Sequence, residues 1–315
     1  MGKQLQFELW QECNSHCKFC YNGKENNKTP TKIKIKALEQ AIKTISDLTN
    51  YPEYDTLAFL GGEFFQGQLN DPTVRELFFE LMKKTAWLYE KGFVKHVWIY
   101  CTLTIGDQAD LYETLKLFNK KDELWILTSY DTIGRFHTQK MLDNWDYHMK
   151  HIYELYPEIK FNITSILTGD LCDKYVNDEI SFKKMKEEYH TEFFFKQCGK
   201  GCLTKEQMNK IIPNFFPTRN QFINFLYKFR EEEDDMMWSK LFNIYYRADT
   251  LYRNFNDKGT VQNTRHKDGG SEVEAPDSDE VMVNPKCGHM MSYQAYIDCD
   301  NCCACDKETV GDTAI

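Results

Sequence analysis

Three cysteines, Cys13, Cys17 and Cys20, stand in one short run, Cys-Asn-Ser-His-Cys-Lys-Phe-Cys. Three soft thiolates brought together by a single loop can hold a metal, and such donor sets favour zinc or an iron–sulfur cluster. A closed structural site has four protein ligands, whereas an incomplete set leaves a coordination position open to a substrate or cofactor. A second concentration lies near the C-terminus, where Cys287-Gly-His289 precedes Cys299, Cys302, Cys303 and Cys305. Its overlapping Cys-x-x-Cys pairs can wrap a tetrahedral metal. Cys198 and Cys202 flank a Gly-Lys-Gly loop, and Cys101 and Cys172 stand alone as expected of small buried hydrophobes.

The elements that must position the first three cysteines follow from the pattern around them. Short β-branched or aromatic runs alternate with segments of helical length over roughly the first two hundred residues, the signature of βα units around a parallel sheet. Strands are expected at 5–10, 56–60, 96–103, 124–129, 160–167 and 192–197, with helices at 34–48, 72–91, 108–119, 138–155 and 182–189. The second helix has the clearest signals: Asp71 as N-cap, Pro72 at the first helical position, and Leu77, Phe78, Leu81 and Trp87 as its apolar stripe. Six such repeats predict an α/β fold, an open or partial (βα)6 barrel, with the cysteine triplet directly after its first strand. Beyond Cys202 the pattern changes to helices at 218–232 and 236–252, whose aromatic residues, Phe222, Phe225 and Phe229 among them, are spaced for packing. The expected organisation is a barrel over 1–202, an aromatic-rich helical segment over 203–255, a flexible acidic connection over 256–280 and a cysteine-rich tail over 281–315.

Composition narrows the function classes. Hydrophobic residues make up 42% and charged residues 28%, a balance expected of a globular chain that buries a core. Lys and Arg total 39 against 48 Asp and Glu, a net charge of −9 that opposes bulk binding of duplex nucleic acid. No apolar run approaches the roughly 18 residues a membrane span needs, and the N-terminus lacks the pattern of a secretory leader. A cytoplasmic location is therefore expected, where reduced thiols are available for metals rather than disulfides.

The triplet resembles the defining motif of the radical S-adenosylmethionine (SAM) superfamily, three cysteines separated by three and then two residues in the loop after the first strand of a partial barrel. Phe19 fills the aromatic position before the third cysteine, and Leu60-Gly61-Gly62-Glu63 resembles the Gly-Gly-Glu element at the end of that family's second strand. The resemblance implies that Cys13, Cys17 and Cys20 ligate three irons of a 4Fe-4S cluster while the amino and carboxylate groups of SAM chelate the fourth. It implies reductive cleavage of SAM to methionine and a 5′-deoxyadenosyl radical, which takes hydrogen from a substrate, with an electron donor such as flavodoxin or ferredoxin. Gly61 and Gly62 would let the backbone approach the methionine portion, and Glu63 would accept from its ammonium group. Ser129, in Leu127-Thr128-Ser129-Tyr130-Asp131, resembles the superfamily's Ser-x-Asp strand ending and would bond the SAM ribose. Asn162 and Ser165 are further contacts, facing the same way if their strand lines the interior. Thr102 stands where relatives have a Thr-Asn-Gly turn, here Cys-Thr-Leu, and Arg135 is a candidate for a carboxylate of SAM or substrate, or for a surface ion pair.

Radical SAM enzymes with cysteine-rich C-terminal extensions, the SPASM and twitch groups among them, hold auxiliary clusters there. The present tail is shorter and departs from the full SPASM spacing. The resemblance implies a second metal site at Cys287, Cys299, Cys302 and Cys305, holding an auxiliary iron–sulfur cluster or zinc and stapling the tail over the open side of the barrel. The substrate is a peptide or protein, or else a nucleotide or small metabolite. The competing class is a non-catalytic scaffold with zinc held by Cys13, Cys17, Cys20 and His16.

Overall fold

Runs such as Leu124-Trp-Ile-Leu-Thr-Ser129 favour a pleated, half-buried surface, and six of them pair as strands. They are β1 (Lys3–Glu8), β2 (Tyr54–Leu60), β3 (His96–Tyr100), β4 (Leu124–Ser129), β5 (Lys160–Ile166) and β6 (Thr191–Lys196). The computed structural model describes residues 3–20, 28–50, 54–196, 210–215, 217–232, 281–283 and 290–292. The chain divides into two compact units, 1–171 with 180–216 and 172–179 with 217–315. The expected helix at 236–252, the connection at 256–280, and Cys198, Cys202, Cys287, Cys299, Cys302, Cys303 and Cys305 lie outside the described residues.

The first unit holds the six-stranded sheet in the sequential order β1 to β6, every pairing parallel. With helices in the intervening connections this is an α/β architecture compatible with a partial barrel. The register carries Leu57, Val97, Leu124, Phe161 and Thr191 to one face, where side chains are buried along every strand. Helices pack on that face: Trp145 donates through Nε1 to Thr128 Oγ1 at 3.1 Å, and Phe182 meets Phe193 and Phe195 at 5.2 and 5.0 Å. The opposite face carries Gln6, Ala58, Trp98, Trp125 and Lys160 in one lateral row and Tyr100, Leu127 and Asn162 in the next. Its side chains are mostly half-buried.

The helices of this unit are α1 (Thr31–Ser46), α2 (Pro72–Glu90), α3 (Ala109–Lys116), α4 (Gln139–Leu155), α5 (Gly169–Val176), whose last residues pass into the second unit, and α6 (Phe182–Tyr189). Asp71 caps α2, accepting from the N–H groups of Thr73 and Val74 at 3.0 and 3.1 Å. The apolar stripe of α2 differs from expectation: Val74, Phe78, Leu81, Met82 and Leu88 are buried, but Trp87 is 50% exposed and stacks on Phe93 at 5.6 Å. Two further expectations are corrected. Strand β3 ends at Tyr100 rather than Leu103, because Leu103 turns left-handed (φ 57°) and the Thr102 N–H leaves the ladder to donate to Glu63. Asn162 and Ser165 lie on opposite faces of β5, as a period of two requires of residues three apart.

In the second unit, α7 (Arg219–Glu232) starts with a reciprocal cap, Thr218 N–H to Gln221 Oε1 at 2.8 Å and Gln221 N–H to Thr218 Oγ1 at 3.3 Å. Phe222, Phe225 and Phe229 are buried along it, Phe225 and Phe229 against Tyr175, so this aromatic stripe is packing. Two short strands, β7 (Val281–Val283) and β8 (Met290–Ser292), pair antiparallel.

Candidate functional site

The site lies where the strands of the first unit reach their C-terminal ends. The run 9–20 leaves β1 beside the segment that leaves β2, and the two stay paired beyond the strands: Gly62 N–H donates to Trp10 C=O at 2.8 Å and Glu63 N–H to Glu12 C=O at 2.9 Å. This approach explains the glycines. A Cβ at Gly61 would stand 2.3 Å from the Trp10 carbonyl oxygen, and one at Gly62 would stand 2.2 Å from that of Glu12 and 2.3 Å from that of Gln11. Both glycines are thus required by the backbone of the cysteine loop itself.

Glu63 is 2% exposed. Its Oε1 accepts from the N–H groups of Phe64 and Phe65 at 2.8 and 3.2 Å, and its Oε2 from Thr102 N–H at 2.6 Å. These bonds fill three of the roughly four acceptor positions of a carboxylate. Glu63 therefore joins the ends of β2 and β3 whether or not anything is bound.

Gln66, which carries no signal of spacing in the sequence, is the centre of the network. Its Oε1 accepts from Asn14 N–H and its backbone carbonyl from Asn14 Nδ2, both at 2.8 Å. Its Nε2 lies 2.9 Å from Ser15 Oγ, 2.9 Å from Thr102 Oγ1 and 3.1 Å from Thr104 Oγ1. One buried amide thus ties the cysteine loop to the loops after β2 and β3. The loop after β4 adds further ties: Lys18 N–H donates to Gly134 C=O at 2.9 Å, and His137 Nε2 lies 3.0 Å from the carbonyl oxygens of both Ser15 and His16. Gly134, at φ +82°, leaves room for Phe19, whose ring a Cβ there would meet at 2.8 Å.

Within this frame Cys13, Cys17 and Cys20 are outside any disulfide, each half-buried. Cys20 N–H donates to Cys17 C=O at 3.0 Å, and Ser15 N–H donates to Cys13 Sγ at 3.4 Å. Burial pushes the Cys13 and Cys17 thiols above the ordinary range; the Ser15 N–H opposes this at Cys13 and the Arg135 cation at Cys17. Arg135 pairs through Nε with buried Asp131 and lies over the Phe19 ring at 5.4 Å, so its ion pair is buried rather than at the surface. Asp131 also accepts from Ile166 N–H at 2.7 Å. Phe19 stacks on Phe215 at 5.7 Å, and Cys17 packs against this cluster.

The other residues singled out in the sequence are more dispersed. Ser129 ends β4 on the half-buried face, opposite Thr164. Asn162 lies on that same face, one side-chain row deeper, opposite Leu127. Ser165 is buried on the helix-covered face, where its Oγ donates to Tyr130 C=O. Thr102 belongs to the Gln66 network.

No three His, Cys, Asp or Glu side chains among the described residues stand close enough to share one metal ion, the set of Cys13, Cys17, Cys20 and His16 included. An iron–sulfur cluster takes one thiolate per iron, so its ligands need not converge on a point. Three cysteines outside any disulfide on one hydrogen-bonded loop suit that donor pattern.

Residues 2–141 match the family model of a 4Fe-4S single cluster domain. The matched segment contains the cysteine triplet, Gly61 to Glu63, Gln66, Ser129 and Arg135, and ends before β5. No curated protein matches the chain. The domain is one found in radical SAM proteins, and the match supports an iron–sulfur protein of that kind.

Proposed function

We propose that the chain is a radical SAM enzyme whose Cys13, Cys17 and Cys20 ligate three irons of a 4Fe-4S cluster and leave the fourth iron to SAM. The observation that carries this reading is the cysteine loop held by the Glu63 N–H, Gln66 and His137 at the C-terminal ends of parallel strands, within the segment that matches the cluster domain. When bound, such a cluster supplies the electron that splits SAM into methionine and a 5′-deoxyadenosyl radical.

The chain's own residues hold and shield. The Cys13 and Cys17 thiols give up protons on ligation, and Arg135, the cation beside Cys17, favours the thiolate. Phe19 and Phe215 cover one side of Cys17 and keep water from it. Ser129, at the rim of the half-buried face, is the proposed partner of the SAM ribose. An electron donor such as flavodoxin or ferredoxin completes the system, and Cys287, Cys299, Cys302 and Cys305 are proposed to hold the second metal site, an auxiliary cluster or zinc.

Anaerobic reconstitution of the full chain tests the reading. About four iron and four sulfide are expected at the N-terminal site, with release of 5′-deoxyadenosine on adding dithionite and SAM. Cys17→Ala should lose that product and keep the circular dichroism of the folded chain. Zinc in place of iron, with no 5′-deoxyadenosine, would replace this reading by the non-catalytic scaffold.

A further inference from the structure

The two faces of the sheet treat their polar groups differently. On the helix-covered face every buried polar strand residue has a partner: Thr128 accepts from Trp145, Ser165 donates to Tyr130 C=O and Thr191 donates to Phe161 C=O. On the opposite face three buried side-chain atoms have none, Gln4 Nε2, Trp98 Nε1 and Asn162 Oδ1. Among the described strand residues these are all the buried side-chain polar atoms that lack a partner. A buried donor or acceptor without a partner costs about 1–3 kcal/mol, so three on one face call for groups that satisfy them.

We infer that this face, around Trp98, Leu127 and Asn162, binds a flat, uncharged nitrogen heterocycle that presents an acceptor on one side of the ring and a donor on the other, the chemistry of a nucleobase. Trp98 offers an N–H and Asn162 a C=O, so the ligand must present an acceptor and a donor. Asn162 lies in the row after Trp98 and two strands away, with Leu127 opposite it on the strand between. Neighbouring strands stand roughly 5 Å apart and successive rows roughly 7 Å, so the two backbone positions are about 12 Å apart, a span for a ring and its two hydrogen bonds rather than for a single bridging group. The face is rich in aromatic surface, with Trp125 beside Trp98 and Tyr100 following it, which suits a flat ring.

Charge narrows the class further. On this face Lys160 pairs with Glu123, and His96 Nδ1 lies 2.9 Å from the same carboxylate. The Lys160 charge is thus matched one to one by Glu123, which does not favour a phosphate or carboxylate there. Glu8, at the end of β1 on the same face, is held above the ordinary carboxyl range by burial, against one bond from Gln11. A group that donates hydrogen bonds is the partner that fits it.

The inference deepens the proposed function, on which it rests for what then happens to the ligand; binding itself can be measured separately. Titration calorimetry on the full chain, with and without reconstitution and SAM, would use uracil and hypoxanthine as probes, with N-acetylglycine amide and inorganic phosphate for comparison. At least one base should bind more tightly than either comparison compound. Asn162→Leu and Trp98→Phe, the latter losing only the N–H, should each weaken it about tenfold. Ser165→Ala on the other face should leave affinity within about twofold. Binding of the amide or of phosphate in preference to both bases would overturn the inference, as would bases that bind Trp98→Phe and Asn162→Leu chains of native circular dichroism as they bind the parent. Base binding without 5′-deoxyadenosine formation would keep this site and remove the radical chemistry. SAM cleavage without base binding would remove this site alone.

Discussion

The two ends of the sheet are held by different forces. At the C-terminal ends, the loops after β1, β2 and β3 are joined by buried hydrogen bonds through Gln66 and Glu63, both under 10% exposed. At the N-terminal ends, Glu123, 30% exposed, gathers Lys160 at 42%, His96 at 36% and the Trp125 N–H, and Lys95 reaches Asp55 at 3.6 Å. Salt screens exposed pairs and water replaces them at little cost, whereas a buried amide or carboxylate that loses a partner leaves other groups unsatisfied. The end that carries the cysteines is therefore the end whose geometry tolerates least change.

Gly62→Ala should show this most strongly. Its Cβ would meet the Gln11 and Glu12 carbonyl oxygens at 2.3 and 2.2 Å, backbone atoms that move only if the cysteine loop moves. We expect a loss of about 3 kcal/mol in urea unfolding and less than about half the iron retained after reconstitution. Gln66→Leu should follow at about 2 kcal/mol, because Asn14 N–H and the Ser15 and Thr102 hydroxyls lose a shared partner in a buried setting. If Gln66→Leu kept both stability and iron at parent levels, the contrast between the two ends would fail.

Much of this frame was legible beforehand, and the failures have local causes. The strands stood out because apolar runs alternate with amphipathic stretches, and Asp71-Pro72 marks the start of α2 by chemistry that depends only on its neighbours. The end of β3 did not stand out, because the groups that draw Thr102 away belong to residues about forty positions earlier. Helix α5 escaped for a related reason: its first N–H groups, on Gly169 and Asp170, donate to Phe215 and Asn214 carbonyls far along the chain. Trp87 followed the helical period yet faces outward, since it meets Phe93 in the following turn and not the sheet. The cysteine triplet was visible as spacing, but Gln66, which holds it, was one polar residue among aromatic ones. Glu63 was visible too, while its three backbone partners were not.

At the other end, Glu123→Gln should cost less than about 1 kcal/mol, with the loss shrinking further in 1 M salt. Glu123 lies below its ordinary carboxyl range, held there against burial by Lys160, Trp125 and His96. Its stabilisation is therefore present above the ordinary carboxylate pKa and fades as acid protonates it. A denaturation series in urea at two salt concentrations separates this behaviour from that of Gln66→Leu, whose loss should not change with salt. Equal salt dependence for the two variants would erase the distinction.

The smallest effect expected is one of pH, at a histidine between the two ends. His148 is buried on α4, with Tyr112 OH 2.8 Å from Nδ1 and the Ile105 carbonyl oxygen 2.9 Å from Nε2. The neutral ring satisfies both, donating from Nε2 and accepting at Nδ1, and burial holds its pKa below the ordinary histidine value. The unfolded chain thus takes up a proton at a pH where the folded chain does not. The stability this residue contributes is whole above the ordinary value and declines as pH falls below about 6.5. Thermal unfolding of the parent between pH 7.5 and 5.5 should therefore decline more steeply than that of His148→Gln, whose amide can keep a donor and an acceptor but cannot titrate. Parallel slopes would mean that the ring takes up its proton within the fold at no cost, and that the loop from 101 to 108 is held by Asn144, which donates to Thr104 C=O at 3.0 Å, rather than by His148.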